Sequence, residues 1–227
     1  MTALSMVATG RAGIFGQLLF TQWKWARMFL LLLTVTAFAV PALSVQSIGG
    51  AYSNYEIVRM LQAFGIAYPI IAAAIGVLLS LTAWSSDHRG RHVYALSLPI
   101  DRWRYVWFRY VAGLLLIIPP VVALWMGGLL ATALGSIPVG LTSYAGSLAL
   151  RFALAAVLSY TALFAISAGT PRTAGIVLGV GAAIVTIHVL LGAAGLDIDI
   201  LGPITNGLFV WPGPFEIFTG RWMLIDV

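Results

Sequence analysis

Cysteine is absent from the 227-residue chain, which excludes disulfide frameworks, cysteine zinc sites, iron–sulfur clusters and thiol nucleophiles but leaves the redox compartment open. Charge is scarce as well: 8% of residues are charged, against about 25% in ordinary soluble domains. That deficit excludes a soluble domain. Intrinsic disorder is excluded too, because disorder requires few apolar residues and 61% of this chain is hydrophobic. Lys24 is the single lysine and no Gly-x-x-x-x-Gly-Lys-Ser/Thr loop surrounds it, so the chain lacks this device for cradling ATP phosphates.

The chain does have long apolar runs. Crossing roughly 30 Å of hydrocarbon at about 1.5 Å per residue takes about 20 mostly apolar residues. Five stretches qualify: about Met28 to Val45, Phe64 to Trp84, Val106 to Leu134, Ser147 to Ala168, and Ala174 to Ala194. The third is long enough to tilt or kink at Pro119 and Pro120, and Gly169-Thr170-Pro171-Arg172 is a tight stop between the last two. Backbone groups in lipid must be satisfied within their own segment, so the expected fold is an all-α integral membrane protein, a polytopic helical bundle forming a single transmembrane domain over residues 1–227. The patch from Ile198 to Val210 is broken by Gly202, Pro203, Asn206 and Gly207 and reads as a surface or re-entrant piece of an extracytoplasmic segment, 195–227.

The twelve cations orient the bundle. With the amino terminus in the cytoplasm, Arg11, Lys24, Arg27, Arg89, Arg91, Arg102, Arg104, Arg109 and Arg172 fall inside and only Arg59, Arg151 and Arg221 outside, as the positive-inside rule requires. The expected location is therefore the cell inner (plasma) membrane, multi-pass, with a cytoplasmic amino terminus and a carboxyl terminus outside. The apolar run after Arg11 is punctuated by Gln17, Thr21, Gln22 and Lys24, which is not the profile of a cleavable signal peptide. Phe15, Leu19 and Trp23 line one helical face of the stretch 10–27, opposite Gln17, Thr21 and Lys24, predicting an amphipathic helix that lies in the headgroup plane before the first span.

The most informative connection, residues 85–105, lies between the second and third spans. A polar start leads to a short helix-compatible run with Val93, Tyr94, Leu96 and Leu98, which Pro99 breaks. Asp101 is the expected N-cap of the next helix, which enters the membrane through a collar of Trp103, Tyr105, Trp107 and Arg109. The order Asp87, Arg89, Gly90, Leu96, Ser97, Leu98, Pro99, Arg102, Tyr105, Arg109 and Gly113 resembles the membrane subunits of ABC-2 type ABC transporters. In that family the acidic position is commonly Glu and the motif continues Gly-Thr, where this chain has Asp87 and Gly90-Arg91. The helix over 10–27 is similar to the family's elbow helix. Members usually have six spans, so the five recognisable ones leave the expected bundle one helix short of the family pattern.

The resemblance implies a permease subunit that is not itself an enzyme, that carries no cofactor, and that relies on ATP and Mg bound by a separate ABC ATPase subunit. It also implies a second permease subunit, as a homo- or heterodimer, in the lipid bilayer, with no nucleic acid involved. By the same resemblance, residues 90–98 are the coupling helix that docks on the ATPase, with Tyr94, Leu96 and Leu98 as contacts, Asp87, Arg89 and Arg91 as a polar rim, and Gly90 and Pro99 at its ends. A non-transporting structural membrane subunit of a larger assembly is the alternative.

The remaining candidates are weaker. His88 and His92 have metal-ligand spacing, but Arg89 follows the first histidine and repels a cation, so no metal site is expected. His188, with Thr186, is an intramembrane ionisable position and a candidate for the substrate pathway, or simply a packing residue. Arg151 is near enough to the end of its span to snorkel. Asp197 and Asp199 read as a solvated loop, and Gly175-x-x-x-Gly179 and Gly192-x-x-Gly195 as close-packing positions in the bundle or in a dimer.

Overall fold

The computed structural model describes residues 3–46, 54–89, 101–135, 140–168, 171–195 and 199–226. These form α1 (Ala3–Gln46), α2 (Asn54–Gly65), α3 (Ala67–Arg89), α4 (Arg102–Leu134), α5 (Ala145–Ser167), α6 (Pro171–Ala193) and α7 (Leu201–Phe209). The strands β1 (Thr142–Ser143) and β2 (Ile225–Asp226) pair antiparallel, Thr142 opposite Asp226. Five stretches are long and apolar enough to span a membrane: Gly13–Gln46, Leu61–Ser85, Arg102–Leu134, Ala145–Ser167 and Gly175–Ala193. Hydroxyls within them are satisfied by their own helix: Thr34 donates to the Leu30 carbonyl at 2.7 Å and Thr161 to that of Val157 at 2.8 Å. Such hydroxyls need no partner on another helix in lipid.

Four helices make the core. α1 lies along α4, α3 along α5, and α1–α3 and α4–α5 contacts close the group. Glycine sets several of these approaches. A Cβ on Gly76 of α3 would sit 2.4 Å from the Ser159 Cβ of α5, and one on Gly113 of α4 would sit 2.1 Å from the Tyr160 hydroxyl. Close contact between membrane helices depends on such small residues, since no hydrophobic force draws helices together in lipid. The sequence points to Gly175, Gly179, Gly192 and Gly195 as close-packing positions in the bundle or in a dimer, and among the described residues nothing lies within 4 Å of a Cβ built on any of them.

The first span differs from expectation. The stretch 10–27 is helical, but it is not a separate elbow that turns at Met28, because α1 runs unbroken from Ala3 to Gln46. Its only internal proline is Pro41, so nothing interrupts the hydrogen-bond ladder at residues 27–28. Tertiary contact favours the continuous helix: Leu18, Gln22, Ala26 and Leu30 recur every fourth residue and are all buried. The buried face is thus offset from the expected Phe15, Leu19 and Trp23, which are half-buried. Gln22, an apparent interruption of the apolar run, donates from Nε2 to the Leu79 carbonyl of α3 at 3.2 Å.

α6 stands apart. Among the described residues its main contacts are with α5 and α7, and no part of its apolar window is buried. At the end of the bundle where α4 stops and α5 begins, here called distal, the carboxyl-terminal residues return to the core: Trp222, Met223, Leu224 and Ile225 are all buried. The proximal end is the one at which α3 stops and α4 begins.

Gly76→Leu is expected to force α3 from α5 and to lower the unfolding temperature in detergent by the equivalent of about 1–3 kcal/mol. Gly179→Leu, placed in open space, should leave it unchanged.

Candidate functional site at the junction of α3 and α4

The proximal end holds a buried cation. Arg109 lies seven residues after Arg102, about 10 Å along α4, and is only 4% exposed. A charge at this depth requires partners, and the fold supplies them. Nε donates to the Tyr105 hydroxyl at 2.7 Å, Nη2 reaches the same oxygen, and Nη1 donates to the Ala83 carbonyl of α3. The guanidinium also lies 4.9 Å from the centre of the Tyr105 ring and 5.8 Å from that of Trp84. Helical spacing explains the pairing on α4, since Tyr105 and Arg109 are one turn apart on one face. The acceptor on α3 is the main-chain carbonyl of Ala83, six residues before that helix's end, and a carbonyl oxygen has a second lone pair beside the one used in its helix.

α5 completes the site. The Tyr160 hydroxyl donates to the carbonyls of Arg109 and Tyr110 at 3.2 and 3.3 Å, an approach that the missing side chain of Gly113 permits. Tyr110 stacks on Tyr160 at 5.5 Å, Phe164 meets Trp84 at 5.1 Å and Tyr110 at 5.4 Å, and the Tyr110 and Thr161 hydroxyls are 2.8 Å apart. α1 joins through Gln22 and through Phe15, whose ring meets Phe108 edge-on at 5.8 Å. All four core helices are therefore tied together beside the connection between α3 and α4. The arrangement is suited to holding helices in register.

Sequence-predicted residues are distributed unevenly around this site. Asp87 and Arg89 fall in the last turn of α3, where only the backbone is described. Gly90, Arg91, Tyr94, Leu96, Leu98 and Pro99 lie outside the described residues, as does His92. Asp101 stands at the N-cap of α4 but makes no capping hydrogen bond; its carboxylate pairs with Arg104 Nε at 3.2 Å instead. Trp103 and Trp107 are exposed, at 67% and 54%, as an aromatic belt requires.

His188 and Thr186 are not brought to this site. The Thr186 hydroxyl donates to the Ala182 carbonyl of its own helix at 2.8 Å, and His188 is half-buried, with Nδ1 enclosed and lacking a hydrogen-bond partner among the described residues. Asp199 accepts the Gly202 N–H at 2.6 Å, a local bond at the start of α7, and Asp197 lies outside the described residues. Among the described residues, no three His, Asp or Glu side chains are grouped to hold a metal ion.

No protein-family model, curated protein or solved structure matches the chain. By helix length and composition it is a multi-pass membrane protein.

The burial of Arg109 and its link to Ala83 escape a reading based on charge position, which places this arginine in the collar at the membrane entry of the helix. A usable signal was present in the spacing. Tyr105, Arg109, Gly113, Leu116, Pro120 and Leu124 form one stripe at three- and four-residue intervals, and all six are buried.

Arg109→Met leaves the Tyr105 hydroxyl and the Ala83 carbonyl without the guanidinium and is expected to destabilise the detergent-solubilised protein by about 1–3 kcal/mol. Arg109→Lys should recover only part of that loss, because one ammonium cannot reproduce the planar fork. Arg102→Met, at an exposed position, should leave the thermal unfolding curve unchanged.

Proposed function

We propose that the chain is the membrane-spanning permease subunit of an ABC-2 type ABC transporter, moving a substrate across the membrane with ATP hydrolysed on a separate ATPase subunit. The observation that carries this reading is the residue order from Asp87 to Gly113 on the connection between the second and third spans. The single lysine, and with it the lack of a phosphate-binding loop around Lys24, accords with an energy source on a partner.

The geometry of the α3–α4 junction suits this role. Closure of two ATP-loaded partner subunits would push on residues 90–98. Arg109 ties Ala83 on one flanking helix to Tyr105 on the other, so both flanks would move as one body. Tyr160 would pass the displacement to α5. Transport would then be a shift in population between two packings of a pair of such bundles. The chemistry belongs to the ATPase, and this chain supplies the pathway and the lever.

Two experiments test the reading. Tagged protein isolated from its native membrane should retain a Walker-type ATPase, and Leu96→Asp should release it; a stable complex without any ATPase would overturn the proposal. The natural absence of cysteine makes single-cysteine labelling clean. A membrane-impermeant thiol reagent added to intact cells should modify Trp211→Cys and reach Arg102→Cys only after lysis, and the reverse pattern would overturn the cytoplasmic placement of the amino terminus.

A further inference from the structure

The distal end carries a second, differently built arginine site. Arg151 lies six residues into α5, about 9 Å along the helix, and its side chain turns to the carboxyl-terminal segment. Nε and Nη2 donate to the Ile217 carbonyl at 3.2 and 3.0 Å, Nη1 to that of Arg221, and Nη2 also to that of Thr219, while the guanidinium lies 4.4 Å from the centre of the Trp222 ring. Gly220, at φ +77°, makes the turn that brings Arg221 beside it. These contacts hold residues 217–222 across the end of the bundle. Among the described residues they leave one Nη1 hydrogen of Arg151 uncommitted.

A cavity of about 350 Å³ opens at this place, lined in part by Tyr144, Ser147, Arg151, Arg221 and Trp222. Two arginines line it and, among the described residues, no acid does. Glu216, the acid whose charge bears on Arg151, is outside the lining, and Arg221 is exposed with no ion pair among the described residues. The start of α5 adds positive potential, because no side chain caps it. An anion is the complement of such a cavity, and the planar guanidinium fork matches the oxygens of a phosphate as it does those of a carboxylate.

The surroundings identify the source of that phosphate. Ser147, Leu150, Arg151 and Leu154 follow one another at three- and four-residue spacing, so one face of α5 passes from the cavity into the membrane-spanning part of the helix. Leu150 and Leu154 on that face are exposed, at 63% and 51%. A molecule with its phosphate against Arg151 and Arg221 would lay an acyl chain along these leucines. We infer that this cavity holds the phosphate of an anionic phospholipid from the distal leaflet, which braces the carboxyl-terminal segment against α5. The inference needs only the membrane-spanning fold and stands apart from the transporter proposal.

Native mass spectrometry of the full chain in mild detergent tests it, with phosphatidylglycerol as the probe and diacylglycerol of the same chains as its phosphate-free counterpart. The unaltered protein should retain one phosphatidylglycerol in preference to diacylglycerol. Arg221→Gln, at a side chain that makes no described bond, should keep the unfolding temperature of the lipid-free protein and weaken that retention roughly ten-fold, the equivalent of one charge-assisted contact. Arg102→Gln, at the opposite end, should retain the lipid normally. Equal retention by Arg221→Gln, equal retention of the two lipids, or an equal loss with Arg102→Gln would overturn the site. Displacement of the lipid by inorganic phosphate would assign the cavity to a free anion and overturn the phospholipid as its occupant.

Discussion

The fold depends on how one buried guanidinium is accommodated. Taking Arg109 out of water is costly, and the attraction of a low-dielectric surrounding offsets that cost only when its donors find well-placed acceptors. Tyr105 and the Ala83 carbonyl provide them, and meeting that requirement fixes the separation of α3 and α4 at the proximal end. Tyr160 can then reach the carbonyls of Arg109 and Tyr110, and the ring cluster of Trp84, Tyr110 and Phe164 assembles around the same point. In a bundle whose helices gain little by leaving lipid for one another, these polar and aromatic contacts specify register more sharply than apolar burial does.

The two ends of the bundle use arginine in different ways. Proximally, Arg109 connects one long helix to another and is almost wholly enclosed. Distally, Arg151 binds a segment that has little regular structure, satisfying the carbonyls of Ile217, Thr219 and Arg221. The buried run Trp222 to Ile225 then seals the distal end through the pairing of β2 with β1. α6 follows neither pattern. It presents apolar side chains such as Ile176, Val180 and Leu190 outward, a surface that the hydrocarbon of a bilayer satisfies.

Much of the architecture was legible in the amino acids because hydropathy over twenty residues answers a one-dimensional question, whether a segment can cross lipid. The five spans are recovered on that basis, with boundaries close to those observed except for the first. Gly13 to Arg27 does not read as part of the first span because Gln17, Gln22 and Lys24 lower its hydropathy, while burial of Gln22 depends on a carbonyl of a different helix. Asp101 illustrates the same limit on a smaller scale: position alone predicts a cap, but Arg104, three residues on, competes for the carboxylate. The expected docking residues of the 85–105 connection fall largely outside the described part of the chain, so their reading still rests on residue order.

The sequence by itself determined that this is a helical membrane protein, which segments cross, and which connection concentrates cations, because each of these follows from composition and spacing along a single chain. Only the tertiary structure decided which glycines let helices touch, that Arg109 joins α3 to α4, and that Arg151 anchors the carboxyl-terminal segment. Those outcomes depend on acceptors supplied by residues far away in sequence, 26 positions from Arg109 to Ala83 and 66 from Arg151 to Ile217. Main-chain carbonyls are present at every residue, so no local pattern of side chains marks the ones that folding will bring within reach of a charge.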